Sequence, residues 1–166
     1  MLSLSLVFWL FITMFALIGA VRGWVKELRV TFSMILVLFV IQLIVQYVPW
    51  ASSNGPNTAR PFFLWFLLII LFYFAGYHIP ENAKLKANSK LQDHMLGCIL
   101  GACNGYLLVG TIWFYLDTAG YPFQSHMIAP EAGTAAMKLI AWLPPAWLNV
   151  QIAVAIAFTI IVIVFI

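Results

Sequence analysis

Charge is what this sequence has least of. Asp, Glu, Lys and Arg make up 8% of its 166 residues, where soluble domains carry about 25%. Hydrophobic residues fill 64% of the chain, above the roughly 45–50% of a soluble one. A soluble domain of this length cannot bury that much apolar surface. The chain is therefore read as all-α and polytopic in a membrane, where helices satisfy their own backbone hydrogen bonds. Cysteine is nearly absent. Cys98 and Cys103 both fall in one apolar segment and point in different directions on a helix, so no disulfide between them is expected. They read as small packing residues rather than metal or redox ligands. Catalytic signatures are missing too: no His-Glu-x-x-His, no Gly-x-Ser-x-Gly, no phosphate loop and no paired carboxylates at helical spacing. No enzymatic activity, cofactor or metal is expected. No predicted span carries a carboxylate at its middle, which counts against an ion path through one copy alone.

What is present is a set of long apolar runs. Spans are predicted near residues 2–21, 28–48, 62–79, 94–116 and 146–166, all within one transmembrane domain covering 1–166. The fourth organises the rest. Between Asp93 and Asp117 there is no Lys, Arg, Asp or Glu, enough helix at about 1.5 Å per residue to cross roughly 30 Å of hydrocarbon. Gly97, Gly101 and Gly105 recur every four residues, so they share a helical face that another helix can approach closely. Asn104 lies beside that face at mid-membrane depth, where facing lipid would cost it several kcal/mol. Packing is the expected role of this stripe. The third span is rich in aromatics and has few small residues, the look of a helix facing lipid.

The basic residues set an orientation. Arg22, Lys26 and Arg29 lie in one predicted loop and Lys84, Lys86 and Lys90 in another; of the eight Lys and Arg, only Arg60 and Lys138 lie elsewhere. Basic loops stay in the cytoplasm. That places the amino terminus outside and, with five spans, the carboxyl terminus inside. No basic residue precedes the first span, so a cleaved secretory signal is not expected. The net charge of +3 speaks for membrane orientation and not for nucleic acid. The same lysines can touch anionic lipid heads, as any inner loop would.

The remaining polar residues are few. Gln42 and Gln46 lie four apart on the second span, either as a structural pair or as part of a solute site. With Asn104 they form the buried polar set that the sequence offers. Asp93 reads as a capping or first-turn carboxylate of its own helix. His78, His94 and His126 are the imidazoles; His94 stands where it can hold a pigment or haem at the head of the fourth helix, or simply be wetted. Between the fourth and fifth spans, residues 131–143 predict a short helix on the outer face, ended by Pro144 and Pro145.

Three motifs in order carry a family resemblance. RGWVKE, Arg22 to Glu27, follows the first helix. LQDHMLGCILGACNG, Leu91 to Gly105, opens the glycine helix. SHMIAP, Ser125 to Pro130, follows it. Together they resemble the colicin V production protein family, bacterial inner-membrane proteins commonly called CvpA. Two positions depart from the family pattern: its Asp-Arg pair is Asp93-His94 here, and its arginine inside the glycine helix is Asn104. The resemblance implies an inner-membrane protein linked to colicin V production or export and to envelope homeostasis, and it supplies no reaction. The expected function is an accessory or scaffold subunit, held to other membrane subunits or to itself through glycine faces. The alternatives are a small channel or transporter working as an oligomer, and a cofactor- or pigment-bearing subunit of an energy-transducing complex.

Overall fold

The computed structural model describes residues 4–48, 59–78, 89–122, 129–131, 133–149, 152, 155, 156 and 159. They form α1 (Leu4–Arg22), α2 (Trp24–Tyr47), α3 (Ala59–His78), α4 (Lys90–Thr118) and the short α5 (Ala135–Ile140) and α6 (Pro144–Trp147), with no strand among the described residues. The first four are each long and apolar enough to cross a membrane. The protein is an all-α, multi-pass membrane protein. Most of the predicted fifth span lies outside the described residues; Ile152, Ala155, Ile156 and Thr159 of it are helical. Lys84, Lys86 and His126 also lie outside them.

No loop separates α1 from α2. The two helices meet at Gly23, whose backbone (φ 89, ψ 155) lies in a region essentially reserved for glycine. Hydropathy places RGWVKELR in a loop and starts the second helix at residue 28, whereas α2 begins at Trp24. Hydropathy measures tolerance of lipid, and a charged turn can stay helical where the bundle covers it. Residues 24–27 are such a turn. Helical hydrogen bonds run up to Gly23 on one side, from its amide to the Gly19 carbonyl at 3.0 Å, and away from it on the other.

α4 is the centre, touching α1, α2, α3 and α6. Against α1 the contact is backbone to backbone. A Cβ on Gly101 would lie 2.9 Å from the Gly19 Cα, one on Gly19 would lie 2.7 Å from the Gly101 Cα, and one on Gly105 would lie 2.8 Å from the Phe15 Cβ. A Cβ on Gly97 would strike the Gly19 carbonyl oxygen. The helices run antiparallel, with Phe8 meeting Trp113 farther along, ring to ring at 5.6 Å.

α2 turns one face inward. Glu27, Val30, Met34, Leu38 and Ile41 are buried along it at helical spacing, against Trp65, Ile69 and Tyr73 of α3. Gly76 brings α3 close to Val30 and Ser33. The opposite side of α3, with Phe63, Phe66, Leu67, Leu71 and Phe74, is exposed. So α3 faces lipid with one side only.

At the far end, α5 occupies 135–140, shorter than the 131–143 expected. The Thr134 hydroxyl caps it, accepting from the Met137 amide at 3.4 Å. Pro144 and Pro145 do not end that helix; they open α6, because a first-turn position asks for no amide hydrogen. Aromatic hydrogen bonds tie this end down. The Tyr106 hydroxyl donates to the Trp142 carbonyl and accepts from the Trp147 indole at 2.9 Å.

Candidate functional site

One turn inside α2, Glu27 is buried with 1% of its surface exposed, and Asn104 at the middle of α4 is fully buried. The Asn104 amide nitrogen donates to Glu27 Oε2 at 2.8 Å and to the Glu27 backbone carbonyl at 2.9 Å. Its Oδ1 accepts from the Thr31 hydroxyl at 2.7 Å. The Thr31 oxygen also lies 3.0 Å from the Glu27 carbonyl, one helical turn back. From α3, the Tyr77 hydroxyl donates to Glu27 Oε1 at 3.3 Å, and the Tyr73 and Tyr77 hydroxyls are 3.0 Å apart. The guanidinium of Arg22, on α1, lies 4.5 Å from the centre of the Tyr77 ring, within cation–π range. All four long helices thus contribute.

A buried carboxylate is costly unless hydrogen bonds replace its water, and here each oxygen has a partner. Asn104 has both amide hydrogens and its oxygen engaged. Its partners are Glu27 and Thr31. Gln42 and Gln46, grouped with it on sequence grounds, sit elsewhere: the Gln42 amide nitrogen donates to the Leu148 carbonyl, its buried oxygen has no partner among the described residues, and Gln46 is exposed. Both glutamines line a cavity of about 320 Å³ that also touches Trp65, Tyr115 and Pro145.

Sequence reasoning missed Glu27, assigning it to a loop. A signal was present. The buried positions 41, 38, 34 and 30 continue backwards at helical spacing to 27, and Thr31 follows one turn after it.

A second constellation lies beside the first, at the α1–α2 joint. The Asp93 carboxylate accepts from the Trp24 amide at 2.9 Å, and His94 Nδ1 lies 2.6 Å from the Ala20 carbonyl. Asp93 thus stands in the first turn of α4, one of the two places expected for it, while its side chain caps α2. The cap of α4 is Ser89, whose hydroxyl accepts from the Gln92 amide at 3.2 Å. A Cβ on Gly23 would sit 2.7 Å from the Asp93 oxygen, so glycine is required there for its backbone and for its size. Gly97, Gly101 and Gly105 meet α1 of the same chain, and that face is thereby occupied.

The cations lie around this end. Lys26 and Lys90 are exposed, and so is Arg22, while Arg29 is half-buried. His78 is exposed and bonds within its own helix, to the Phe74 carbonyl at 2.9 Å. Cys98 is half-buried and Cys103 exposed, and both are free. Among the described residues no three His, Cys, Asp or Glu side chains gather as a metal would need.

The residues of the first two sequence motifs, far apart in the chain, meet in these two clusters: Arg22, Gly23 and Glu27 from one, Asp93, His94 and Asn104 from the other. No curated protein and no solved structure matches the chain. A family model described as colicin V production protein matches residues 4–131. That span contains all four long helices and both clusters, and the chain belongs to the colicin V production protein family.

Proposed function

We propose that this membrane protein is an accessory or scaffold subunit of an assembly in the bacterial inner membrane, supporting the production of colicin V for which its family is named. Its amino terminus is outside and its carboxyl terminus cytoplasmic. Arg22, Lys26, Arg29 and Lys90 gather at the end where α1 meets α2 and α4 begins, which supports that orientation. The observation that carries the reading is the use made of polar side chains inside the bundle. Glu27, Thr31 and Asn104 bond to one another across α2 and α4, Ser33 of α2 donates to the Phe72 carbonyl of α3, and Gln42 donates to Leu148. They hold one helix to another or, at Leu148, to the residue that closes α6. The exposed apolar sides of α1 and α3 are left for lipid and partner subunits.

The channel or transporter reading draws on the same buried Glu27, since an ionisable group inside a membrane bundle often marks an ion pathway. Two measurements divide the readings. In a colicin V-producing bacterium lacking its own family member, the intact chain should restore release of the toxin. The purified protein alone, in sealed liposomes, should pass no ions beyond protein-free controls. Ion flux through the purified protein would replace the scaffold with a channel.

A further inference from the structure

We propose that Glu27 is a proton-binding site, with Oε1 the atom that takes the proton and the Tyr77 hydroxyl the group it passes. The proposal stands apart from the accessory role and rests on how differently the two carboxylate oxygens are held.

Oε2 faces the Asn104 amide nitrogen at 2.8 Å, a group that only donates. The amide cannot turn round to accept, because Thr31 holds its oxygen at 2.7 Å and the Glu27 carbonyl takes its other hydrogen at 2.9 Å. A proton on Oε2 would set donor against donor. Oε1 faces a hydroxyl at 3.3 Å, and a hydroxyl both donates and accepts. Tyr77 also has somewhere to send its own hydrogen, the Tyr73 hydroxyl at 3.0 Å, where either oxygen can be the donor. With Glu27 ionised, Tyr77 donates to Oε1. With Glu27 protonated, the new Oε1–H donates to Tyr77, Tyr77 donates to Tyr73, and Tyr73 turns its hydrogen away. The Asn104 bonds survive in both states. The proton comes from a hydronium ion, which leaves as water, and the carboxylate becomes neutral.

The groups around the site fit this exchange. Arg22 on α1 is exposed and lies over the ring of the half-buried Tyr77, so the phenol stands between the buried acid and the surface. Tyr73 and Tyr77 are the titratable groups facing it from α3. From α4 the facing group is the neutral Asn104, with Asp93 held at the Trp24 amide nearer the joint. On α2 itself, Lys26 is exposed and Arg29 half-buried beside it.

Infrared difference spectra of the full chain in mild detergent, recorded from alkaline to acidic pH, test the proposal. The wild type should gain a carboxylic acid band that Glu27→Gln lacks and that Tyr77→Phe shifts in frequency. Identical bands in wild type and Glu27→Gln would overturn it, because the titrating acid would lie elsewhere. Should Glu27→Gln fail to fold, Tyr77→Phe decides alone: a band unmoved by loss of the hydroxyl means that Oε1 does not carry the proton.

Discussion

Two seams hold this bundle, and they work by opposite means. Where α1 and α4 come closest the contact has almost no side chain: Gly19 meets Gly97 and Gly101, and Phe15 meets Gly105. Where α2 and α3 meet α4, the contact is a carboxylate, an amide and hydroxyls joined by hydrogen bonds. In lipid there is little hydrophobic drive for helices to associate, so close packing and interhelical hydrogen bonds remain as the means. The glycine seam draws on the first and the Glu27 seam on the second. The glycine seam should fail when atoms are added. The polar seam should fail when a partner is taken away.

The sharpest way to break the contrast is to add atoms to the first seam. Gly101→Leu places a branched side chain where a single Cβ already meets the Phe15 carbonyl oxygen and the Gly19 Cα. Overpacking costs about 1–3 kcal/mol where side chains can shift, and here the obstacle is backbone, so a loss of about 3 kcal/mol is expected. Phe66→Leu, on the exposed side of α3, is the comparison and should cost below about 0.5 kcal/mol. The folded fraction in mild detergent across a temperature series measures both. Equal losses would mean that the glycine seam does not hold the bundle.

Taking a partner from the second seam should come next in size. Asn104→Leu adds no charge and keeps the number of side-chain heavy atoms. It strips donors from Glu27 Oε2 and the Glu27 carbonyl and an acceptor from Thr31. Membrane hydrogen bonds are worth about 0.6–2 kcal/mol each, and a buried carboxylate left short of donors costs more than a neutral group would. A loss of about 2 kcal/mol is expected in the same thermal series. Tyr77→Phe removes the 3.3 Å bond to Glu27 and the 3.0 Å bond with the Tyr73 hydroxyl, and should cost less than Asn104→Leu, which breaks three. A loss for Asn104→Leu larger than for Gly101→Leu would reverse the ranking of the seams.

The two seams were unequally legible in the sequence. Glycines at four-residue spacing are a local pattern, and Gly97, Gly101 and Gly105 could be read without knowing what they meet. Their partner Gly19 could not, since one glycine near a helix end has many meanings. Glu27 was hidden by a rule that usually works: charges next to an apolar run mark its end. The rule fails when a neighbouring helix supplies the hydrogen bonds that water would, and Asn104 is 77 residues away in sequence. The Trp24–Asp93 contact is of the same kind, with partners 69 residues apart. The two-sidedness of α3 is hidden in the sequence for a third reason. Aromatic residues suit lipid and packed interiors alike, and only the spacing of Trp65, Ile69 and Tyr73 separates its buried side from the other.

The α1–α2 joint lies where the two seams converge, and it offers the smallest and most local test. In an unbroken helix the Trp24 amide would bond to the Ala20 carbonyl four residues back. Gly23 turns the chain instead, and a helix end and a helix start are left with orphaned groups. Two adjacent residues of α4 take up the two halves of that missing bond. Asp93 accepts from the Trp24 amide, and His94 Nδ1 meets the Ala20 carbonyl. A carbonyl only accepts, so the hydrogen belongs on Nδ1. A capping side chain is worth about 1 kcal/mol, and Asp93→Ala should cost that much and speed hydrogen exchange at the Trp24 amide. His94→Ala should cost about 0.5–1 kcal/mol and leave the Trp24 amide protected, because its bond is at the other end of the break. His94→Gln, which keeps a donor, should recover part of the loss. The two residues serve one joint, so the double replacement should depart from the sum of the single losses. Unchanged exchange at Trp24 in Asp93→Ala would mean that Gly23 and the glycine seam hold the turn by themselves, and that the polar contacts follow from the bend instead of fixing it.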